Sequence, residues 1–284
     1  MIHKFLPLLI LIACSSSSEL FVRRYEKDEH ILYHLKTRVT NRQGVHIYRV
    51  LARAVVTQDE NEHYSEEFSW SDLSLDEKKI PLNDLSIKPL KLSLAPKTPI
   101  SVPNYSGYHP ALMIPALDLT TIYADLRLAH RYAHLDVGEQ RVVKHGVPVS
   151  WADGKHLLVA EDAIDFVITL VKKDEQKKTL EILIKHTPPD KERVQLFAPW
   201  MKKPVNKTPN NWVQVKQLTP EGYLIGIGHE TFSVRLKMDS LYGKIIEANL
   251  ENTIEILERT CSDAAWVVCE FSDRYQLKRE LILY

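Results

Sequence analysis

Apolar residues recur at every second position through most of this chain. Ile31, Tyr33 and Leu35 alternate with polar neighbours, and residues 45–56 run largely apolar beyond Thr40-Asn41-Arg42-Gln43-Gly44. Two such runs flanking a polar, Gly-containing segment predict a β-hairpin. Further strands are expected at 64–70, at Leu90, Leu92 and Leu94, and at 163–171, where Ile164, Phe166, Ile168 and Leu170 share a face. Residues 180–186 pair back onto the last of these across the charged turn 172–178. Segments 212–218, 223–227, 231–238, 244–250 and 275–283 complete the set, with a turn at Thr219-Pro220-Glu221-Gly222. Gly226 and Gly228 read as a bend or bulge within a strand.

One segment has the helical period instead. From about Pro115 to Leu135, one apolar stripe comprises Leu119, Ile122, Leu126, Ala129 and Ala133, and a second comprises Leu117, Ala124, Leu128 and Leu135. Pro115 suits the first helical position, and a helix apolar on two sides is mostly buried. The expected fold is therefore mostly β (α+β): a curved antiparallel sheet or partial barrel packed around one long helix, about 115–135.

The amino terminus departs from this pattern. A basic start containing Lys4 leads into residues 5–12, which carry no charge. That run is far short of the roughly 20 apolar residues a bilayer span needs, and the layout is that of a secretory signal peptide. Leu11-Ile12-Ala13-Cys14 resembles the lipobox of bacterial lipoproteins, with Ile12 where Ala or Ser is commoner. The resemblance implies a signal peptide over 1–13, cleavage before Cys14, and a diacylglycerol with palmitate-class chains on the Cys14 sulfur. Two or more acyl chains anchor stably where one does not. Ser15 in place of Asp implies the outer membrane, facing the periplasm. Ser15 to Ser18 would be a flexible spacer, residues 14–28 the lipidated tether, and 29–284 a single β-rich envelope domain.

Charge narrows the partners. The 37 basic residues balance 37 acidic ones, which gives nucleic acid no electrostatic footprint. No second apolar stretch approaches membrane-spanning length. With Cys14 assigned, Cys261 and Cys269 remain; export to an oxidising compartment predicts a disulfide between them, and no second Cys pair is present to make a zinc site. Tyr284 resembles the terminal aromatic of outer-membrane barrels. Glu280 and Lys278 would then share its lipid-facing side, at up to about 2–4 kcal/mol each, so a transmembrane barrel is set aside.

Candidate chemistry is sparse. His130 and His134 lie four apart on the predicted helix, but Arg131-Tyr132-Ala133 stand between them where metalloproteases place a Glu base, so no metal is expected. Ser150, His145 or His156, and Asp153 are a candidate nucleophile, base and orienter without a Gly-x-Ser-x-Gly elbow. Glu161, Asp162 and Asp165 are candidate paired carboxylates or calcium ligands. Trp200 and Trp212 bracket a Pro-, Lys- and Asn-rich loop suited to a partner or headgroup. No catalytic set and no cofactor are expected. The reading is a non-catalytic, membrane-anchored envelope lipoprotein that binds an apolar or amphipathic ligand, such as a lipid, or an envelope protein. A hydrolase using 145–165 and a structural scaffold are the alternatives.

Overall fold

Strands whose alternate residues are apolar need a partner surface on one side, and here they build a single sheet around the helix. The structure, a computed structural model, describes residues 21–82, 89–95, 110–145, 151–152, 156–160, 164–186, 190–194, 208–219, 222–262 and 269–284. Cys14, the expected signal peptide over 1–13 and Ser15 to Ser18 lie outside them. The elements are β1 (His30–Asn41), β2 (Gly44–Gln58), β3 (Tyr64–Leu75), β4 (Lys78–Lys79), β5 (Leu90–Leu92), α1 (Pro110–Tyr132), β6 (Gln140–His145), β7 (Trp151–Ala152), β8 (His156–Ala160), β9 (Ile164–Asp174), β10 (Thr179–His186), β11 (Trp212–Gln217), β12 (Tyr223–Asp239), β13 (Ile245–Cys261) and β14 (Cys269–Leu283).

The sheet is curved, open and antiparallel, in the order β4-β3-β2-β1-β14-β13-β12-β10-β9-β6. The mostly-β fold with one long helix expected from the sequence is the fold observed. One edge of β12 serves two partners, with 223–228 pairing β11 and 233–239 pairing β10. The sheet therefore forks, and β11 leads on to β8 and β7. Asn211 holds the fork: its N–H donates to the Gly228 carbonyl at 2.8 Å, and its side-chain oxygen accepts the Glu230 N–H at 2.7 Å.

Alternation places Tyr33, Leu35 and Thr37 of β1, Ala52, Ala54 and Val56 of β2, and Ile182 and Ile184 of β10 on the concave face, all buried. In β3 the inward positions are Glu66, Phe68 and Trp70, then Leu73. The change of parity comes from a bulge opposite Val50, where Asp72 takes a left-handed φ of 50°. Leu112, Leu119, Ile122, Leu126 and Ala129 of α1 fill the hollow at 0 % exposure. The helix starts at Pro110, five residues before the expected Pro115, because Pro110 itself takes the first position; Pro115 lies inside the helix. The second expected stripe is divided. Leu128 and Leu135 join the core, whereas Leu117 is 46 % exposed.

Residues 21–28, read from sequence as part of the tether, lie on the body as a strap. Arg23 is buried and its guanidinium donates to Glu29 at 2.8 Å and lies 3.7 Å from the Glu66 carboxylate. Tyr25 stacks on Tyr64, and its hydroxyl accepts the Leu94 N–H at 2.9 Å. The buried charge of Arg23 fixes this stretch to the body. At the other end of the sheet Cys261 and Cys269 face each other in register, their sulfurs 2.06 Å apart.

The two faces of α1 give a direct test. Leu126→Ala should cost about 2–5 kcal/mol through lost contacts and a cavity, while Leu117→Ala should stay within about 0.5 kcal/mol. Chemical denaturation of both variants under one set of conditions measures the difference.

Candidate functional site

Strand β12 changes the face it buries. Its odd residues Tyr223, Ile225 and Ile227 pack with Val213, Val215 and Cys261 in a second, smaller core. Its even residues Val234, Leu236 and Met238 belong to the main core around the helix. Strand β13 does the same, with Ala248 and Leu250 in the main core and Leu257 and Cys261 in the second. The β12–β13 register runs unbroken from Tyr223↔Cys261 to Lys237↔Glu247, so no bulge produces the exchange. Because side chains alternate strictly along a strand, the two cores lie on opposite faces of the same sheet.

The concave face therefore continues past the helix as a surface not claimed by the second core. The helix meets this face from His130, whose Nε2–H donates to the Gly243 carbonyl at 3.0 Å, to Asp118, which accepts from Thr37 Oγ1 at 2.5 Å. Beyond Asp118 the paired rows are Phe232, Asn252 and Arg279; Glu230, Ile254 and Leu277; Gly228, Ile256 and Tyr275; and Gly226 with Glu258. Trp212 and Gln214 of β11 pair with Gly228 and Gly226.

The last of these rows floor a groove of about 320 Å³, lined by Trp212, Gln214, Lys216, Leu224, Gly226, Ile256, Glu258 and Tyr275. The Trp212 indole lies directly on the two glycines. A Cβ at Gly228 would fall 2.0 Å from the ring, and one at Gly226 would touch it at 3.8 Å. Gly226 and Gly228 are thus a flat seat for an indole, not the bend or bulge expected from sequence. The groove wall is polar. Arg42, at the tip of the β1–β2 hairpin, stacks 3.6 Å from the centre of the Tyr275 ring. Its guanidinium bonds Glu258 at 2.8 Å and also pairs with Asp273. Tyr275 in turn donates to Glu258 at 3.0 Å.

A buried acidic pair lies on α1. Arg279 Nη1 approaches Asp118 Oδ1 at 3.1 Å, as an ion pair rather than an aligned hydrogen bond. Asp125 lies two turns further along, and its Oδ2 makes no hydrogen bond among the described residues. Burial pushes the Asp118 carboxyl up to about 6 against the pull of Arg279 and Thr37. It pushes Asp125 up to about 8, with only Arg279 opposing. One positive charge thus faces two acids, of which Asp125 stays protonated at neutral pH.

The sequence candidates fall elsewhere. His130 is buried, and desolvation lowers its pKa to about 4, while His134 is exposed and stacks on Tyr132. Among the described residues no three His, Cys, Asp or Glu side chains gather as a metal site. The hydrolase candidates split: His145 pairs with Ile164 on β6, and His156 pairs with Lys216 on β8. Ser150, Asp153, Glu161, Asp162 and Trp200 lie outside the described residues. Asp165 is half-buried, opposite Lys144. Of the residues singled out, the groove gathers Trp212 and Gly226, with Gly228 beneath the indole. It adds Arg42, Glu258, Ile256 and Tyr275, which sequence reasoning passed over. The signal for them was the exchange from odd to even apolar positions between Ile227 and Phe232. Among the described residues no helix is long and apolar enough to cross a membrane. The chain matches no family model, no curated protein and no solved structure.

The acidic pair makes stability depend on pH. Both carboxyls bind their protons more tightly folded than unfolded, so their contribution is complete below about pH 4. It is lost as pH rises through about 6 for Asp118 and about 8 for Asp125. Asp125→Asn keeps the shape and removes the titration. Its melting temperature should exceed that of the wild type at pH 9 and match it closely only near pH 3.5, where Asp125 is protonated in both states, as read by calorimetry.

Proposed function

We infer that this is a lipid-anchored envelope protein that binds an amphipathic ligand, without catalysis, in the groove beyond the helix. The carrying observation is the Trp212 indole seated on Gly226 and Gly228. A flat aromatic face held open at the floor of a groove, beside Ile256 and Leu224, offers apolar contact to one side of a small molecule. Gln214, Lys216 and Glu258 on the same groove receive its polar end. The mixture of an aromatic and aliphatic floor with a polar wall suits an amphipathic molecule rather than a wholly apolar one. The lipobox-like Leu11-Ile12-Ala13-Cys14 supports placement at a membrane, where amphipathic molecules are concentrated.

Binding follows from the way the groove is built. The second core lies on the opposite face of β12 and β13, so the floor is stiff without being filled. Arg42 is held by Glu258, Asp273 and the Tyr275 ring, which fixes the wall. A ligand therefore meets a preformed site and loses little to reorganisation of the protein.

Two measurements test this reading. Organic extraction and mass spectrometry of protein purified from membranes should recover a bound amphiphile from the wild type. Trp212→Ala should lower its content about tenfold, equivalent to roughly 1.4 kcal/mol of binding, with the fold retained. Gly228→Ala should do the same by displacing the indole. Background levels in the wild type would leave the scaffold reading in its place. Separately, Cys14→Ser should abolish labelling by a clickable palmitate analogue and release the protein from membranes. Equal labelling of variant and wild type would overturn the anchor.

A further inference from the structure

The turn between β12 and β13 presents two large apolar side chains to solvent, Leu241 at 51 % exposure and Tyr242 at 40 %. The turn is firmly held. Asp239 Oδ1 accepts the N–H groups of Leu241 at 2.9 Å and Tyr242 at 2.7 Å, and the Gly243 N–H donates to the Asp239 carbonyl at 3.0 Å. Gly243 takes φ 66°, and a Cβ there would lie 2.9 Å from the Val22 carbonyl oxygen, so no other residue fits. The strap runs alongside, with the Arg24 N–H donating to the Tyr242 carbonyl at 2.9 Å. The described chain thus reaches its amino-terminal end, Phe21, at this turn. Only Ser15 to Leu20 separate Phe21 from Cys14. Seven such steps extend to about 25 Å at most.

Cations surround the apolar pair. Arg24 is exposed beside it. Lys177 and Lys178 are exposed on the adjoining β9–β10 turn, whose Lys178 carbonyl accepts the Ser240 N–H at 2.8 Å. The neighbouring acids Asp239, Asp174 and Glu175 are engaged, the first with the turn amides, the second with the Lys177 N–H at 3.0 Å and the third with Lys173 at 2.8 Å. Tyr at a polar–apolar boundary, an adjacent Leu and flanking Lys or Arg are the composition that settles at a membrane interface, and each cation near an anionic leaflet adds about 1 kcal/mol.

We propose that the β12–β13 turn is the membrane-facing tip of the protein, with Leu241 and Tyr242 entering the headgroup region and Arg24, Lys177 and Lys178 meeting anionic phosphates. This rests on the reading of Cys14 as the lipid anchor. It orients the body so that Arg42 and the groove, at the far end of β1 and β12, face away from the bilayer.

The test uses the full lipidated chain in vesicles of phosphatidylethanolamine and phosphatidylglycerol. Leu241→Cys carries an environment-sensitive fluorophore, and Gln43→Cys at the opposite end serves as the reference; both sites are exposed, so the fold is preserved. The label at 241 should shift to the blue and be quenched by nitroxide-bearing lipids, while that at 43 stays quenched only by aqueous iodide. Mass spectrometry of the same sample reports acylation of Cys14. An acylated protein whose 241 label stays in water overturns the proposed tip and leaves the anchor standing. A protein without acyl chains overturns the anchor and the tip together. A shift that needs no vesicles and grows with protein concentration assigns the turn to a second copy of the chain and also overturns the proposal.

Discussion

A single buried carboxylate, Glu66, ties the three parts of the molecule together. It projects from β3 at 1 % exposure. It accepts the hydroxyl of Tyr33 from β1 at 3.1 Å and that of Tyr123 from the helix, and the Arg23 guanidinium of the strap lies 3.7 Å away. Removal from water raises the pKa of Glu66, while Tyr123, Arg23 and Tyr33 pull it back. Glu29 and Lys244 extend the cluster to the start of β13. Two cations and two anions thus balance within a volume where an unpaired charge is costly. Removing one member of such a group costs about 3–5 kcal/mol because its partner stays buried. Helix, sheet and strap consequently have one mutual arrangement, and the later features depend on it.

The groove follows from a second constraint, the strict alternation of side chains along β12 and β13. A strand that serves a core on one face over its first half and on the other face over its second half must leave half of each face uncommitted. Near the helix the uncommitted face is solvent-exposed and polar. Beyond it the uncommitted face is concave, and the sequence occupies it with Gly226, Gly228 and Ile256 beneath Trp212. The fork at Asn211 makes this possible, because β11 brings the tryptophan alongside β12 only after β10 has left that edge. The acids Asp118 and Asp125 stand within the helix, near Arg279.

The same geometry separates the two ends of the molecule. Hairpin tips at one end carry Arg42 and the Cys261–Cys269 pair, both set in polar or covalently joined surroundings. The other end carries the strap, the carboxy-terminal turn of the helix and an apolar turn locked by Gly243. The long antiparallel strands β12 to β14 join the two ends without an interdomain joint.

The strand content, the hairpin turns within 40–44 and 172–178, the one long helix and the pairing of Cys261 with Cys269 were all legible in the sequence. Each is set by local rules: alternation of period two, turn residues, helical stripes and compartment chemistry. The helix boundary was misplaced because two prolines, Pro110 and Pro115, satisfy the same start rule, and only packing of Leu112 selects the first. Residues 21–28 precede the first expected strand and so read as part of the tether; only the partners of Arg23, on Glu29 and on the distant Glu66, make them part of the body. The two glycines carried no local sign of their purpose, since the side chain that needs them, Trp212, arrives from another strand. What the sequence determined by itself was which residues alternate and turn. What only the tertiary structure decided was which face each half of β12 and β13 buries, because that depends on where the helix and β11 lie and not on the strands themselves.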